Sequence, residues 1–300
     1  IKADGTTSDG TVVGDGNSFS VTLPGGYYVI TDSYTNGSAA EGDSLSRYMV
    51  NLVKDTTVTP KTITVTPDKD IVKDDGTLTD DNDVSIGDTV TYRLSGTIPD
   101  MEGYNAFKYV FSDTLSAGLT VSVKEGDTFT GYIADKDADS NSFTKLQEDG
   151  TDITVTFEVT EVKKNNDGTT TVRFAMRDAK NGCTGYAGKH VYMDYTATVN
   201  KDAAIENAND NSVKIEFSND PTKVYDGEPE FTGDEPKGET ADKTVYVYTT
   251  KLTIAKTDGE GKKLTGAEFE LTGTGVNVGY VTGQEFVASD AAGDSEDETV

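Results

Sequence analysis

The sequence is poor in several residue types, and each shortage excludes some kinds of stabilisation or catalysis. It contains no tryptophan, one cysteine, one histidine and seven prolines in 300 residues. A lone cysteine, Cys183, cannot form an internal disulfide, so a secreted chain of this composition needs another covalent staple or must rely on packing. The glycine-rich surroundings of Cys183 predict a turn near solvent, and a reactive thiol is the alternative. The only histidine, His190, has no cysteine or serine arranged around it for a catalytic triad, which argues against a hydrolase.

Positive charge is also scarce. The chain has 53 acidic and 26 basic residues, which gives a net charge of −27. Such a charge repels phosphate backbones and anionic lipid headgroups, so nucleic acid and membrane surfaces are not expected partners. No apolar run approaches the roughly 18 residues that span a bilayer. The first residues resemble no signal peptide and the acidic end carries no sorting signal, so we interpret the sequence as a mature fragment of a longer precursor.

The strand signal dominates the sequence. Segments such as DTVTYRLSGTIP, TDITVTFEVTEV, KHVYMDYTATVN and KTVYVYTTKLTI alternate apolar with polar residues at period two, and turn clusters such as DDG, NNDG and DGEG separate them. This pattern predicts an all-β chain of sandwich domains. A short helical turn is expected near DAAIENAN, and no long amphipathic helix.

Proline and composition mark two boundaries. TTVTPK ends a first unit near Lys61, and an acidic run that contains prolines precedes KTVYVYTTKLTI. We therefore predict three units, at residues 1–61, 62–248 and 249–300.

Three polar side chains occupy positions where the alternation predicts a buried residue. Lys69 shares the phase of Ile71, Asp113 lies in phase with the apolar residues of FKYVFSDTL, and Asn219 with those of NSVKIEFSND. Burial of a lone charge costs several kcal/mol, so buried polar groups of this kind are usually arranged together. We therefore expect Lys69, Asp113 and Asn219 to meet in one core.

Such a group can react. An apolar site lowers the pKa of a lysine and raises that of an aspartate, so Lys69 can be a neutral amine while Asp113 is a neutral acid. Asp113 would hydrogen-bond to the Asn219 carboxamide and pass a proton to the departing ammonia. The product is a covalent amide, made in one turnover without cofactor or metal. A bulge at Val72 would make Lys73 the nucleophile instead.

Structural roles are the alternatives for the same residues. Lys69 could extend its ammonium to solvent from a strand end, Asp113 could cap a turn, and Asn219 could form an Asx turn before Pro221.

A resemblance to a known family adds to this interpretation. YRLSGTIPDMEGYNAFKYVFSDTLSAGL, followed by KHVYMDYTATVN and NSVKIEFSNDP, resembles the fimbrial isopeptide-formation domain of Gram-positive backbone pilins over roughly residues 62–248. The resemblance implies an immunoglobulin-like (Cna A/B-type) β-sandwich. It assigns the bond-forming lysine to Lys69, the assisting aspartate to Asp113 and the asparagine to Asn219.

The outer units carry two further expectations. KLTIAKTDGEGKKLTGAEFEL is similar to the start of a Cna B-type repeat, whose reactive lysine would be Lys256; the later strands that carry its partners are missing here. The first unit, with LPGGYYVITDSY and SRYMVNLV, resembles the latter half of a pilin N-terminal domain. Lys61 loosely matches the position where sortase attaches the next subunit, and an ordinary exposed lysine is the alternative.

An acidic loop has part of a calcium-binding pattern. Asp135, Asp137, Asp139 and Asn141 have the spacing of the first ligands, but Ser140 replaces the required glycine and no glutamate closes the loop. We expect a solvated loop and no metal.

The sequence therefore predicts a non-enzymatic shaft subunit of a cell-surface pilus, stiffened by an internal Lys–Asn bond. Expected partners are neighbouring pilin subunits and sortase, with a host matrix protein or glycan possible. The alternative is a wall-anchored adhesin whose sandwiches form a stalk or bind a host ligand.

Overall fold

The computed structural model describes residues 13–14, 19–31, 41–58, 63–205, 207–250, 256–262, 280–282 and 285–287. The strands are β1 Val13–Gly14, β2 Phe19–Ser20, β3 Gly26–Thr31, β4 Arg47–Leu52, β5 Pro67–Val72, β6 Leu78–Thr79, β7 Asp81–Asp83, β8 Thr89–Thr97, β9 Tyr109–Leu115, β10 Leu119–Val121, β11 Thr128–Asp137, β12 Ser142–Lys145, β13 Gln147–Glu148, β14 Thr151–Asp152, β15 Thr154–Lys164, β16 Thr170–Arg177, β17 His190–Val199, β18 Ala208–Ser218, β19 Lys237–Glu239, β20 Lys243–Tyr248, β21 Tyr280–Thr282 and β22 Glu285–Val287. One short helix, α1 Ala179–Cys183, is present in the described residues.

Most of these strands belong to one connected sheet. Its order is β6-β5-β8-β17-β11-β15-β16-β9-β18-β20-β7, with β10 on β17, β12 on β11 and β19 on β18. Among the described strands of this sheet, β20 and β7 pair in parallel and the other pairs are antiparallel. Although β5 and β18 lie far apart in this order, β5 packs against both β18 and β20. The sheet therefore folds over on itself, and the predicted all-β sandwich is confirmed.

The core lies between the two halves of the folded sheet. In β8, Val90, Tyr92 and Leu94 are buried while Thr91 and Arg93 face outward, as period-two alternation requires. Gly96 continues the buried phase because a side chain has no room there: a Cβ would lie 2.2 Å from the Tyr109 hydroxyl.

The outer face of β9 is covered as well, so nearly the whole strand is buried. Residues 219–236, which form neither helix nor strand, contact the same side of the sheet, where Glu230 pairs with Arg173 of the neighbouring β16. This covering segment is acidic and corresponds to the proline-containing run that the sequence analysis placed near a boundary.

The hairpin of β3 and β4 forms a separate two-stranded sheet that leads into the large one. The Gly42 N–H donates to the Glu239 carbonyl at 3.0 Å, and the Leu45 N–H donates to the Asn219 carbonyl at 2.8 Å. The three predicted units remain a prediction, and the connected sheet runs from Pro67 to Tyr248 within the predicted middle one.

Two local expectations are corrected. The described residues of 202–209 contain no helix, because the Asn209 carboxamide accepts from the Ala204 N–H at 2.7 Å and competes with helical hydrogen bonding. Cys183 is not near solvent: it ends α1, is 2% exposed and contacts the Met176 sulfur at 3.5 Å. The glycines around it end a short helix that packs on β15.

Candidate functional site

Lys69 lies in the centre of β5 with its side chain in the core. It is 0% exposed, and Pro67 and Ile71 share its face of the strand. The ammonium donates a hydrogen bond to the Asp113 carboxylate. Its Nζ also lies 5.2 Å from the centre of the Tyr92 ring and 5.5 Å from that of Tyr195. Among the described residues, Lys69 therefore has one carboxylate partner, and it lies in an aromatic pocket.

Asp113 faces Lys69 from β9 and is also 0% exposed. One carboxylate oxygen accepts from Lys69, and the other accepts from the Tyr195 hydroxyl. Tyr195 reaches this position from β17, where it follows Val191 and Met193 in the buried phase. The sequence predicted the contact between Lys69 and Asp113 but not the tyrosine beside it.

The carboxamide at this site belongs to Asn211. In the pairing of β18 with β9, Asn211 lies opposite Leu115 and Val213 lies opposite Asp113, so Asn211 is a diagonal neighbour of the aspartate. Its Nδ2 donates to the Tyr195 hydroxyl at 2.7 Å, and the same hydroxyl lies 3.4 Å from the Lys69 ammonium. The Asn211 Oδ1 is buried and accepts no hydrogen bond from the described residues.

We call Lys69, Asp113, Tyr195 and Asn211 the Lys69 site. Burial lowers the pKa of Lys69 to about 8, although the charge of Asp113 and its hydrogen bond oppose the shift. Burial also raises the pKa of Asp113, against the effects of Lys69 and Tyr195. The two pKa values move towards each other, so a proton can pass from the ammonium to the carboxylate and leave a neutral amine beside a neutral acid.

Asn219, the amide predicted for this site, lies elsewhere. Val213 lies opposite Asp113, and Asn219 lies six residues further along the chain. At the usual rise of a strand, this places Asn219 about 20 Å from Val213. The Asn219 N–H donates to the Tyr225 hydroxyl at 3.2 Å, and its carbonyl accepts from Leu45. The register of β18 with β9 thus brings Asn211, and not Asn219, close to Asp113; Asn219 follows the same alternation but lies one residue past the end of β18.

The remaining predicted residues lie outside this site. Lys73 is exposed beyond the end of β5, so no bulge brings it into the core. Lys256 is exposed, and its role as a second reactive lysine stays a prediction. Lys61 lies outside the described residues, and its role as a sortase acceptor likewise stays a prediction.

The acidic loop between β11 and β12 contacts the strand that carries Lys69. Its Asp137 carboxylate accepts from the Asp139 N–H at 2.9 Å, and the Asn141 amide donates to Asp70 at 2.7 Å. Lys136, near the end of β11, forms an ion pair with Asp68. The hairpin therefore holds β5 from its outer face. No cluster of potential metal ligands occurs among the described residues.

A second buried lysine was missed from the sequence. Lys108, just before β9, is 1% exposed. Its ammonium contacts Asp226 at 2.5 Å, the Glu230 carbonyl at 2.6 Å and Glu235 at 2.6 Å. We call these four residues the Lys108 cluster; it joins the covering segment 219–236 to the sheet.

None of the helices in the described residues has the length and apolar composition needed to span a bilayer.

Residues 86–221 match the family model of the Gram-positive pilin backbone subunit 2, Cna-B-like domain. No curated protein matches the chain.

Solved major pilins resemble the chain at low identity. The GBS80 fragment of Streptococcus agalactiae is 20% identical, with 73% of this chain and 67% of that chain covered and a TM-score of 0.44. SpaD of Corynebacterium diphtheriae is 16% identical, with 83% and 53% covered and a TM-score of 0.45. SpaA of the same species is 19% identical, with 77% and 52% covered and a TM-score of 0.38. The chain thus spans between 52% and 67% of the length of these pilins.

Proposed function

We propose that the chain is a structural subunit of a pilus shaft whose sandwich is cross-linked by a Lys69–Asn211 isopeptide bond. The match of residues 86–221 to the model of a Gram-positive pilin backbone domain supports this role. Asp113 assists the reaction. The observation that carries this proposal is the buried set of contacts from Lys69 through Asp113 and Tyr195 to Asn211.

The site has what amide formation requires. Proton exchange with Asp113 gives Lys69 the free amine that attacks a carbonyl carbon. The Asn211 carboxamide supplies that carbon, and ammonia is the leaving group. Burial among aromatic rings excludes water, which would otherwise hydrate the ammonium and hydrolyse an activated carbonyl.

The bond would give the sandwich a covalent connection between its two halves. Lys69 on β5 and Asn211 on β18 face each other across the core, and the chain between them contains most of the connected sheet. Closing a loop of this length in the unfolded chain stabilises the fold by about 5 kcal/mol in the simple chain-entropy model. A subunit that must carry tension along a fibre gains from a connection that does not depend on cysteine.

The mass of the intact chain tests the proposal. We expect the folded wild type to be lighter than its sequence by one ammonia, and Asn211→Ala to keep the full mass. Asn219→Ala is the matched control, because it removes a buried carboxamide that lies just past β18 and outside the Lys69 site. It should lose ammonia as the wild type does.

A wild-type chain of full mass would refute the cross-link. Loss of ammonia from Asn211→Ala but not from Asn219→Ala would return the bond to Asn219.

A further inference from the structure

The carboxyl group of Asp113 has no hydrogen bond to the amide that would be cleaved. Its two oxygens accept from Lys69 and Tyr195, and among the described residues neither oxygen bonds to Asn211. The Tyr195 hydroxyl lies between the two groups: it donates to Asp113 and accepts from the Asn211 Nδ2 at 2.7 Å. The leaving nitrogen therefore touches a tyrosine and not the acid.

We propose that Tyr195 is a catalytic residue of the cross-linking reaction, which passes a proton from Asp113 to the departing nitrogen of Asn211. This inference rests on the proposed Lys69–Asn211 bond and adds the route by which ammonia leaves.

The proton balance closes over the four side chains. Lys69 first gives a proton to Asp113, and its neutral Nζ then forms a bond to Cγ of Asn211. As the bond from Cγ to Nδ2 breaks, Nδ2 takes the hydroxyl proton of Tyr195, while Tyr195 takes the acid proton of Asp113. The new amide nitrogen returns its extra proton to the Asp113 carboxylate. The products are the Lys69–Asn211 amide, one ammonia and neutral Asp113.

Packing alone does not explain the hydroxyl of Tyr195. The ring stacks on Tyr92 at 5.6 Å and contacts Phe174 at 5.3 Å, and a phenylalanine would keep both contacts. Burial, with the charge of Asp113, raises the pKa of Tyr195 well above its ordinary value. A persistent phenolate is therefore excluded near neutral pH, and Tyr195 can give a proton only while it receives another.

Replacement of the hydroxyl tests this route. Full-length chains made by cell-free synthesis can be followed by mass spectrometry from synthesis to loss of ammonia. We expect Tyr195→Phe to lose ammonia about 10²-fold more slowly than the wild type, the lower range of general acid–base effects. Tyr109→Phe is the matched control: it removes a buried hydroxyl that donates to the Thr97 carbonyl at 3.2 Å, away from the site. Its rate should equal that of the wild type.

A comparison of rates in H2O and D2O separates proton transfer from positioning. The relay predicts a slower wild-type reaction in D2O and a smaller solvent isotope effect in Tyr195→Phe. The relay would be overturned if Tyr195→Phe lost ammonia as fast as the wild type. It would also be overturned if Tyr195→Phe reacted slowly but showed the same solvent isotope effect as the wild type. In both cases the proposed cross-link would still hold. If Tyr195→Phe fails to fold, the wild-type measurement decides, since equal rates in H2O and D2O also overturn the relay. If the wild type never loses ammonia, the cross-link does not form, and the proposed function fails as well.

Discussion

The two buried lysines of the described residues have opposite surroundings. Lys69 and Lys108 are 0% and 1% exposed, so burial does not distinguish them. Lys69 contacts one carboxylate within aromatic walls, whereas the ammonium of Lys108 contacts three oxygens of the covering segment. The carboxylate of Asp226 in the Lys108 cluster is 43% exposed, while that of Asp113 is fully buried.

The acids beside each lysine respond accordingly. Burial raises the pKa of Asp113. Hydrogen bonds from Lys108 and Thr232 lower the pKa of Asp226, and hydrogen bonds also lower that of Glu235 against its partial burial. Asp226 and Glu235 therefore stay ionised at neutral pH, and no carboxamide of the described residues contacts the Lys108 ammonium. A reactive lysine requires few acceptors, an acid that accepts its proton, and a target carbonyl; burial is only the first condition.

The largest expected difference comes from Lys69→Met. This variant removes the nucleophile, so the chain should keep its full mass and lose about 5 kcal/mol of loop-closure stabilisation. Guanidinium unfolding compared with the wild type measures the change. Asn211→Ala should lose a similar amount for the same reason. A Lys69→Met chain as stable as the wild type would mean that Lys69 adds no loop-closure stabilisation, which contradicts the cross-link.

Lys108→Met should have a smaller effect and leave the cross-link intact. The variant removes three charge-assisted contacts, but its partners can turn to solvent, so we expect a loss of about 1–3 kcal/mol. Proteolysis should cut within residues 219–236 faster than in the wild type, while the mass still shows the loss of one ammonia. Failure to lose ammonia in this variant would show that the two lysines are coupled and would undo the contrast.

The smallest expected effect is the loss of stability that acid causes at the Lys108 cluster. Asp226 and Glu235 have folded-state pKa values below their ordinary values of 3.8 and 4.5, so their contribution is present above those values and is lost as the pH falls through the lowered ones. Solvent screens the exposed Asp226, so the effect stays below about 1 kcal/mol. The stability lost between pH 6 and pH 3 should be smaller in Lys108→Met than in the wild type. An equal loss would assign acid sensitivity to other carboxylates.

The sequence predicted more of the fold than of the site. Alternation identified the strands and placed Lys69 and Asp113 in the core, because side-chain direction follows from period two alone. Asn209 and Asn211 share the buried phase of β18, and Asn219 follows the same alternation just past its end; the register with β9 places Asn211 next to Asp113. Tyr195 could not be identified from the sequence either, because there it is one of several aromatic residues in the buried phase. Its role depends on the contact of its hydroxyl with Asp113, which only the structure shows. A search for every amide in the buried phase would have included Asn211.

In the proposed pilus shaft, the positions of β5 and β18 have a consequence for damage by proteases. In a chain joined at Lys69 and Asn211, residues 70–210 are a side branch around the bond, and the backbone on either side stays connected without them. The exposed turn at residues 138–140 offers a protease an accessible site within that branch. Cuts there, however many, cannot separate the two ends of the subunit, so a pilus nicked in its loops would keep its length.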